Sequence, residues 1–205
     1  MKVGVLGGTF DPIHHGHLVA AEEVWTKLQL SCVLFVPAGQ PPHKLGRAIS
    51  PAAHRLAMVE LAIAGNPRFL LSRVDVERVG PSYSVDMLAA LRGQLGPAAE
   101  LHFIIGFDSL ADLLTWHDPG RLVQLCRIAA VTRPGYHWYD LAGLEAAIPQ
   151  ARQRIDIVEI PQLDISSSDL RWRVAEGRPI TYQVPRAVER YIEKQGLYRL
   201  SKEEA

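Results

Sequence analysis

The chain has 205 residues, which at about 150 residues per domain favours one medium-sized domain. Its 22 Lys and Arg balance 22 Asp and Glu, so the strong basic excess of a nucleic-acid-coating or anionic-membrane protein is missing, although a local basic patch stays open. A hydrophobic share of 48% and a charged share of 21% exclude disordered and fibrous classes. A chain this long buries roughly 70% of its unfolded surface and needs no staples.

Short apolar runs alternate with helical windows along the chain. Residues 3–6 (VGVL), 33–36 (VLFV), 101–105 (LHFII), 128–131 (IAAV) and 155–160 (IDIVEI) read as strands. Most are continuously apolar, as suits strands covered on both faces. Helices are predicted over 18–28, 51–64, 85–95, 120–125, 168–176 and 185–195, with Ser50 capping Pro51, Asp118-Pro119 opening the fourth, and Gly65, Gly177 and Gly196 as stops. The alternation predicts an α/β fold with a doubly wound, mainly parallel sheet and a small helical C-terminal portion from about 166 to 200, all within one domain of residues 1–205.

Cys32 and Cys126 both lie in apolar runs and are expected to be buried, reduced thiols rather than a disulfide framework. No run approaches the ~18 apolar residues of a membrane span, and the first residues are broken by Gly7, Gly8 and Asp11 too soon for a signal-peptide core. The expectation is a cytoplasmic protein that works without membrane or nucleic acid; a homo-oligomer is compatible with the sequence. The Pro/Gly-rich stretches 37–47 and 133–139 are expected to be long functional loops. Open parallel sheets bind ligands at the carboxyl ends of their strands, so each loop after a strand is a place to search.

The first of those loops is the most informative: GGTFDPIHHGH, residues 7–17. Gly7 and Gly8 let backbone approach a bound group, and a helix beginning around 14–17 offers free N–H groups and a positive dipole end. If His14 already stands in the first turn, it shares a face with His17, and Gly16 leaves room between them. Two imidazoles there suit a triphosphate. Zinc is disfavoured because no Cys, Asp or third His stands at ligand spacing. A dinucleotide site would need G-x-G-x-x-G, and the glycines at 4, 7, 8 and 16 do not provide it.

GGTFDPIHHGH and ISSSDLR (residues 165–171) resemble the two motifs of the HxGH nucleotidyltransferases. PPHK (41–44), GPSYS (80–84), IIGFDSL (104–110), TRPG (132–135) and VPRAVERYIEKQGLY (184–198) are similar to segments of the bacterial nicotinate mononucleotide adenylyltransferases in particular. Between them these segments run along nearly the whole chain. The resemblance implies a Rossmann-like nucleotidyltransferase that joins ATP and nicotinate mononucleotide into deamido-NAD, releasing pyrophosphate, with Mg²⁺ bound mainly through the ATP phosphates and no protein metal site. Ser168 and Leu170 depart from the usual Thr and Ile, Ser84 from a frequent Thr, and Phe107 from a small residue; none removes the expected chemistry.

Adenylyl transfer needs no protein base, because the attacking phosphate has a second pKa near 6 and is already ionised. It needs two polyanions aligned and their repulsion cancelled. In a chain of zero net charge the positive groups must gather, and the candidates are His14, His17, Lys44 and Arg171 for catalysis, with Arg133 toward the acceptor. The ATP side is expected to be Gly7, Gly8, Thr9, Phe10, Gly106, Asp108, Ser166, Ser167 and Ser168, where Asp108 is either a ribose ligand or a helix cap and the serines cap a helix that also binds phosphate. The resemblance puts the pyridine ring against Trp116 and its acid group on backbone N–H groups near Ser84 and His117. Arg73, Arg78, Arg173 and Arg178 read as surface residues, and Tyr191 and Tyr198 as packing. Rivals are an HxGH enzyme for nicotinamide mononucleotide or phosphopantetheine, a noncatalytic nucleotide-binding module, and an NAD-dependent oxidoreductase.

Overall fold

The computed structural model describes residues 1–41, 49–132, 141–161 and 163–199. Six parallel strands form one sheet in the order β3-β2-β1-β4-β5-β6: β1 (Lys2–Gly8), β2 (Cys32–Pro37), β3 (Phe69–Leu71), β4 (Glu100–Gly106), β5 (Arg127–Thr132) and β6 (Ile155–Glu159). The chain runs outward from β1 to β3, returns to β4 beside β1, and then runs out the other way. That reversal makes a switch point between β1 and β4, where a crevice opens at the carboxyl ends of both strands.

Period-two alternation along each strand feeds two apolar layers. Val3, Val5, Leu34, Val36, Leu101, Phe103, Ile105, Ile128 and Ala130 face one layer, closed by α3 (Ser84–Leu95), α4 (Phe107–Ala111), α5 (Pro119–Leu125) and α6 (Ala142–Ala147). Val33, Phe35, Ile104 and Ala129 face the other, closed by α1 (His15–Leu28), α2 (Ala52–Ile63), α7 (Ser167–Ala175) and α8 (Arg186–Gln195). Burial on both faces is why the strands read as unbroken apolar runs.

All five expected strands are present within a residue or two, and six helices fall where the pattern put them. β3 was not foreseen: three residues, FLL, carry too little pattern, and pairing with β2 makes the strand. α4 and α6 are five and six residues long and equally silent in sequence. α2 starts at Ala52 with Pro51 as its cap, one residue later than predicted, and Ser50 is used elsewhere. Both cysteines are free thiols; Cys126 is buried, which pushes it up to about 12, while Cys32 is only half-buried. No described helix is long and apolar enough to cross a membrane.

Candidate active site

A cavity of about 990 Å³ opens at the switch point. Gly7, Gly8, Thr9, His14, Gly16 and His17 line one end, while Ser84, Trp116 and His117 line the other, with Gly106 between them. Lys44 and Arg133 lie outside the described residues.

At the first end, His14 is the cap residue of α1 and not part of its first turn, with extended backbone at φ −145°. The His14 and His17 rings nevertheless meet face to face, 3.7 Å between centroids and 30° between planes. The backbone N–H of His14 donates to Nδ1 of His17 at 3.2 Å. His17 Nδ1 is therefore an acceptor, and its proton sits on Nε2. Burial is the first cause lowering both imidazoles: His14 falls to about 4, helped by the charge of His15, and His17 lies well below the usual histidine range, helped by His14. The pair is neutral at pH 7. His14 Nδ1 is buried without a hydrogen-bond partner among the described residues.

Two glycines shape this pair by lacking a side chain. A Cβ on Gly16 would stand 3.0 Å from His14 Nδ1 and 3.1 Å from its Cε1. A Cβ on Gly8 would meet the Phe10 ring at 3.0 Å. Phe10, 2% exposed and with φ +50°, turns its ring into the core, edge-on to His17 at 5.1 Å. Its ring supports a histidine and leaves the ligand side to the backbone.

The second helical tip sits against the first. The carbonyl of Ile165, just before α7, lies 4.0 Å from where a Gly16 Cβ would be, and Ile165 lines the cavity. Ser166 caps α7 through its hydroxyl, which accepts from the Asp169 N–H at 3.1 Å. Ser167 donates to the Pro12 carbonyl at 2.8 Å. Arg171 donates to the Asp11 carbonyl at 2.7 Å, with Ser168 at 3.4 Å. None of Ser166, Ser167, Ser168 and Arg171 is among the residues lining the cavity; Ser167 and Arg171 donate instead to the backbone of the loop before α1. Asp108 is exposed in the first turn of α4, whose cap is Gly106, and stays outside the lining while Ser109 enters it.

At the far end, Trp116 stands edge-on to Phe103 at 6.2 Å, and the Tyr83 ring stacks on His117 at 4.3 Å. Ser84 is the first residue of α3, which no side chain among the described residues caps; the Asp86 and Met87 N–H groups donate to the Tyr83 carbonyl, which leaves those of Ser84 and Val85 open. Asp118 caps α5 as expected, accepting from Arg121 N–H.

Two residues of consequence were not singled out, and a third, Tyr198, was read only as packing. Arg55, 2% exposed, donates from Nε to the Ser50 carbonyl at 3.0 Å, from one terminal nitrogen to the Thr9 and Ala38 carbonyls at 2.9 and 2.7 Å, and from the other to Gly39 at 3.4 Å. It ties together the loops after β1 and β2. Burial works against its charge, offset by Asp11 and Asp75. Its sequence signal is a cation on the face of α2 that also carries Met58, Val59 and Ile63. Asp11 and Tyr198 are the others, and no local pattern marks them as partners 187 residues apart. Arg78, read as a surface residue, instead has a side chain only 23% exposed, between Asp75 and Asp86 and donating to the Pro81 carbonyl.

A family model described as cytidylyltransferase-like matches residues 5–173. The "probable nicotinate-nucleotide adenylyltransferase" of Thermomicrobium roseum is 56% identical over 97% of this chain and 92% of its own length. Proteins of the same name from Nocardioides sp. and Streptomyces coelicolor are 53% and 50% identical, over 94% and 95% of this chain and 92% and 99% of theirs. A solved structure, the nicotinic acid mononucleotide adenylyltransferase of Plasmodium falciparum complexed with NaAD, superposes with a TM-score of 0.76 over 96% of this chain and 97% of that one at 20% identity. That distant match speaks for the fold, and the near relatives, of whose length this chain covers 92% to 99%, carry the assignment: this chain belongs to the cytidylyltransferase-like family and, within it, to the nicotinate-nucleotide adenylyltransferases.

Proposed function

We propose that the chain joins ATP and nicotinate mononucleotide into deamido-NAD, releasing pyrophosphate, as a step of NAD biosynthesis in the cytoplasm. The observation that carries this reading is one cavity with a paired-imidazole helix tip at one end and an aromatic wall beside an uncapped helix start at the other. ATP occupies the first end, with Gly7, Gly8, Thr9 and the Phe10 backbone along its phosphates and Gly106 and Asp108 toward its ribose. The mononucleotide occupies the second, its ring against Trp116 and its carboxylate on N–H groups near Ser84 and His117. Chain residues 1–205 act as one nucleotidyltransferase domain.

An oxygen of the mononucleotide phosphate attacks the α-phosphorus of ATP; the new P–O bond forms as the bond to the β-phosphate oxygen breaks and pyrophosphate leaves. His17 Nε2–H donates to the phosphate that develops charge, and neutral His14 lies against it, so the pair stabilises by directed hydrogen bonds rather than by fixed charge. Cationic help comes from Arg171, Lys44 and, on the acceptor side, Arg133. The serines of 166–168 present the start of α7 to the triphosphate tail. Mg²⁺ arrives on ATP as part of the substrate and would neutralise phosphate charge there.

Purified protein given ATP, Mg²⁺ and nicotinate mononucleotide should release pyrophosphate and form the dinucleotide, detected by mass, faster than with nicotinamide mononucleotide or phosphopantetheine. Absence of release across pH and divalent metals rejects the reading; a faster amide reaction redirects it to the other mononucleotide.

A further inference from the structure

The segment from Thr9 to Ile13 connects β1 to α1 and delivers His14 to the cavity, yet most of what holds it comes from distant parts of the chain. Arg55 takes the Thr9 carbonyl, Arg171 the Asp11 carbonyl and Ser167 the Pro12 carbonyl. The Asp11 side chain, 2% exposed, accepts from the Tyr198 hydroxyl at 2.6 Å and from the Ser50 N–H at 3.1 Å. Tyr198 reaches it from the turn after α8, held at φ +64°. Neither Asp11 nor Tyr198 lines the cavity. Their bond is short, as an O–H···O⁻ bond to a carboxylate is.

These ties differ in what substrate does to them. Arg171 and Ser167 stand at the start of α7, which in the function proposed above receives the triphosphate, so there phosphate oxygens would compete with the Asp11 and Pro12 carbonyls for their donors. Tyr198 has no such competitor. We propose that the Tyr198 hydroxyl, acting through the buried Asp11 carboxylate, is a positioning group for adenylyl transfer that keeps the 9–13 loop, and with it the His14–His17 pair, aimed while Arg171 engages phosphate. The inference rests on the function proposed above. It makes the C-terminal turn, far along the chain from the motif, a determinant of rate.

Tyr198→Phe removes one oxygen and tests this. With both substrates varied, kcat should fall roughly tenfold, as a displacement well under 1 Å at reacting groups can cause. Both KM values should stay within about threefold, since ground-state contacts are untouched. Hydrogen exchange of the peptide spanning residues 9–17 should quicken while the β4 and β5 peptides keep their protection. Asp11→Asn keeps an acceptor and removes the charge; the double variant should be no slower than the slower single one, because both act on the same tie. The proposal is overturned if kcat of Tyr198→Phe stays within about twofold of the parent at a temperature where the fold is intact. It is equally overturned if loop exchange is unchanged or the two losses multiply. An inactive parent would sink the proposed reaction instead, and the exchange arm would still decide the tie.

Discussion

The two ends of the cavity are built differently. At the α1 end the reacting groups stand on a seven-residue strand and a fourteen-residue helix, with His14 only 7% exposed and Phe10 behind the pair. Gly8 and Gly16 leave no slack there: each removed side chain would have touched a ring at 3.0 Å. At the other end Trp116 and His117 follow a three-residue turn and precede a seven-residue helix, and the contact that joins the walls is a stack of half-buried Tyr83 on exposed His117. Buried groups on long elements suit the stabilisation of a transition state; less buried rings beside short elements suit binding that must open and close. Changes at the first end should therefore appear in kcat and those at the second in the KM of the acceptor.

The strongest way to break that division is His17→Ala. Loss of a donor aimed at developing phosphate charge should lower kcat by roughly 10²–10³-fold with little change in either KM. The variant also loses the acceptor for the His14 N–H, so a drop in stability of about 1 kcal/mol should accompany it, as for other helix caps. Retained turnover would remove His17 from the chemistry and the division with it.

Acid should expose the same end next. His14 and His17 are held neutral in the fold mainly by burial, while the unfolded chain binds their protons below about 6.5. Between 6.5 and about 4 the unfolded state carries more protons, so stability is complete above 6.5 and drains as pH falls. His14 alone accounts for up to about 3 kcal/mol. His102, lowered by burial at the amino ends of the strands despite Glu100 and Asp156, adds in the same direction. Urea unfolding at pH 7.5 and pH 4.5 should show the loss, and His14→Gln should lose less; equal losses would mean that His14 is not the group taking the proton.

This asymmetry also governs how much the sequence disclosed. The sheet was readable because strands buried on both faces must be apolar throughout, and the α1 end because GGTFDPIHHGH places glycine, cap and ring at fixed spacings on long elements. Missed were pieces whose reasons are tertiary. β3 exists only through pairing with β2, and α4 and α6 are too short to show a period. Arg55 is a cation folded inward to satisfy four carbonyls, legible only as a breach of the α2 apolar face. Tyr198 and Asp11 meet across 187 residues, which no window spans. For Arg171 the motif located the residue; that its donor is spent on the Asp11 carbonyl in the free protein is a matter of packing.

Gly16→Ala sharpens the comparison with a smaller effect. The added methyl would press on the His14 ring at 3.0 Å, so the ring must shift by a few tenths of an ångström. We expect kcat to fall roughly tenfold. Alanine is also the better helix residue by about 1 kcal/mol, so the variant should melt no lower than the parent. Lower activity with equal or higher stability is the signature of a residue kept small for geometry. Activity that survives would show that the pair tolerates rearrangement.

Ser84→Ala should do least, and that is its value. Ser84 opens α3 with no side-chain cap among the described residues, leaving the Ser84 and Val85 N–H groups to receive a carboxylate at the positive end of the dipole. A backbone donor survives the loss of the hydroxyl. KM for nicotinate mononucleotide should change less than about twofold, and preference over the amide should persist, because that preference arises from a negative charge at a helix start rather than from the serine oxygen. A tenfold rise in KM, with the preference for acid erased, would transfer recognition to the side chain, and the acceptor end would then depend on a fixed polar group as the α1 end does.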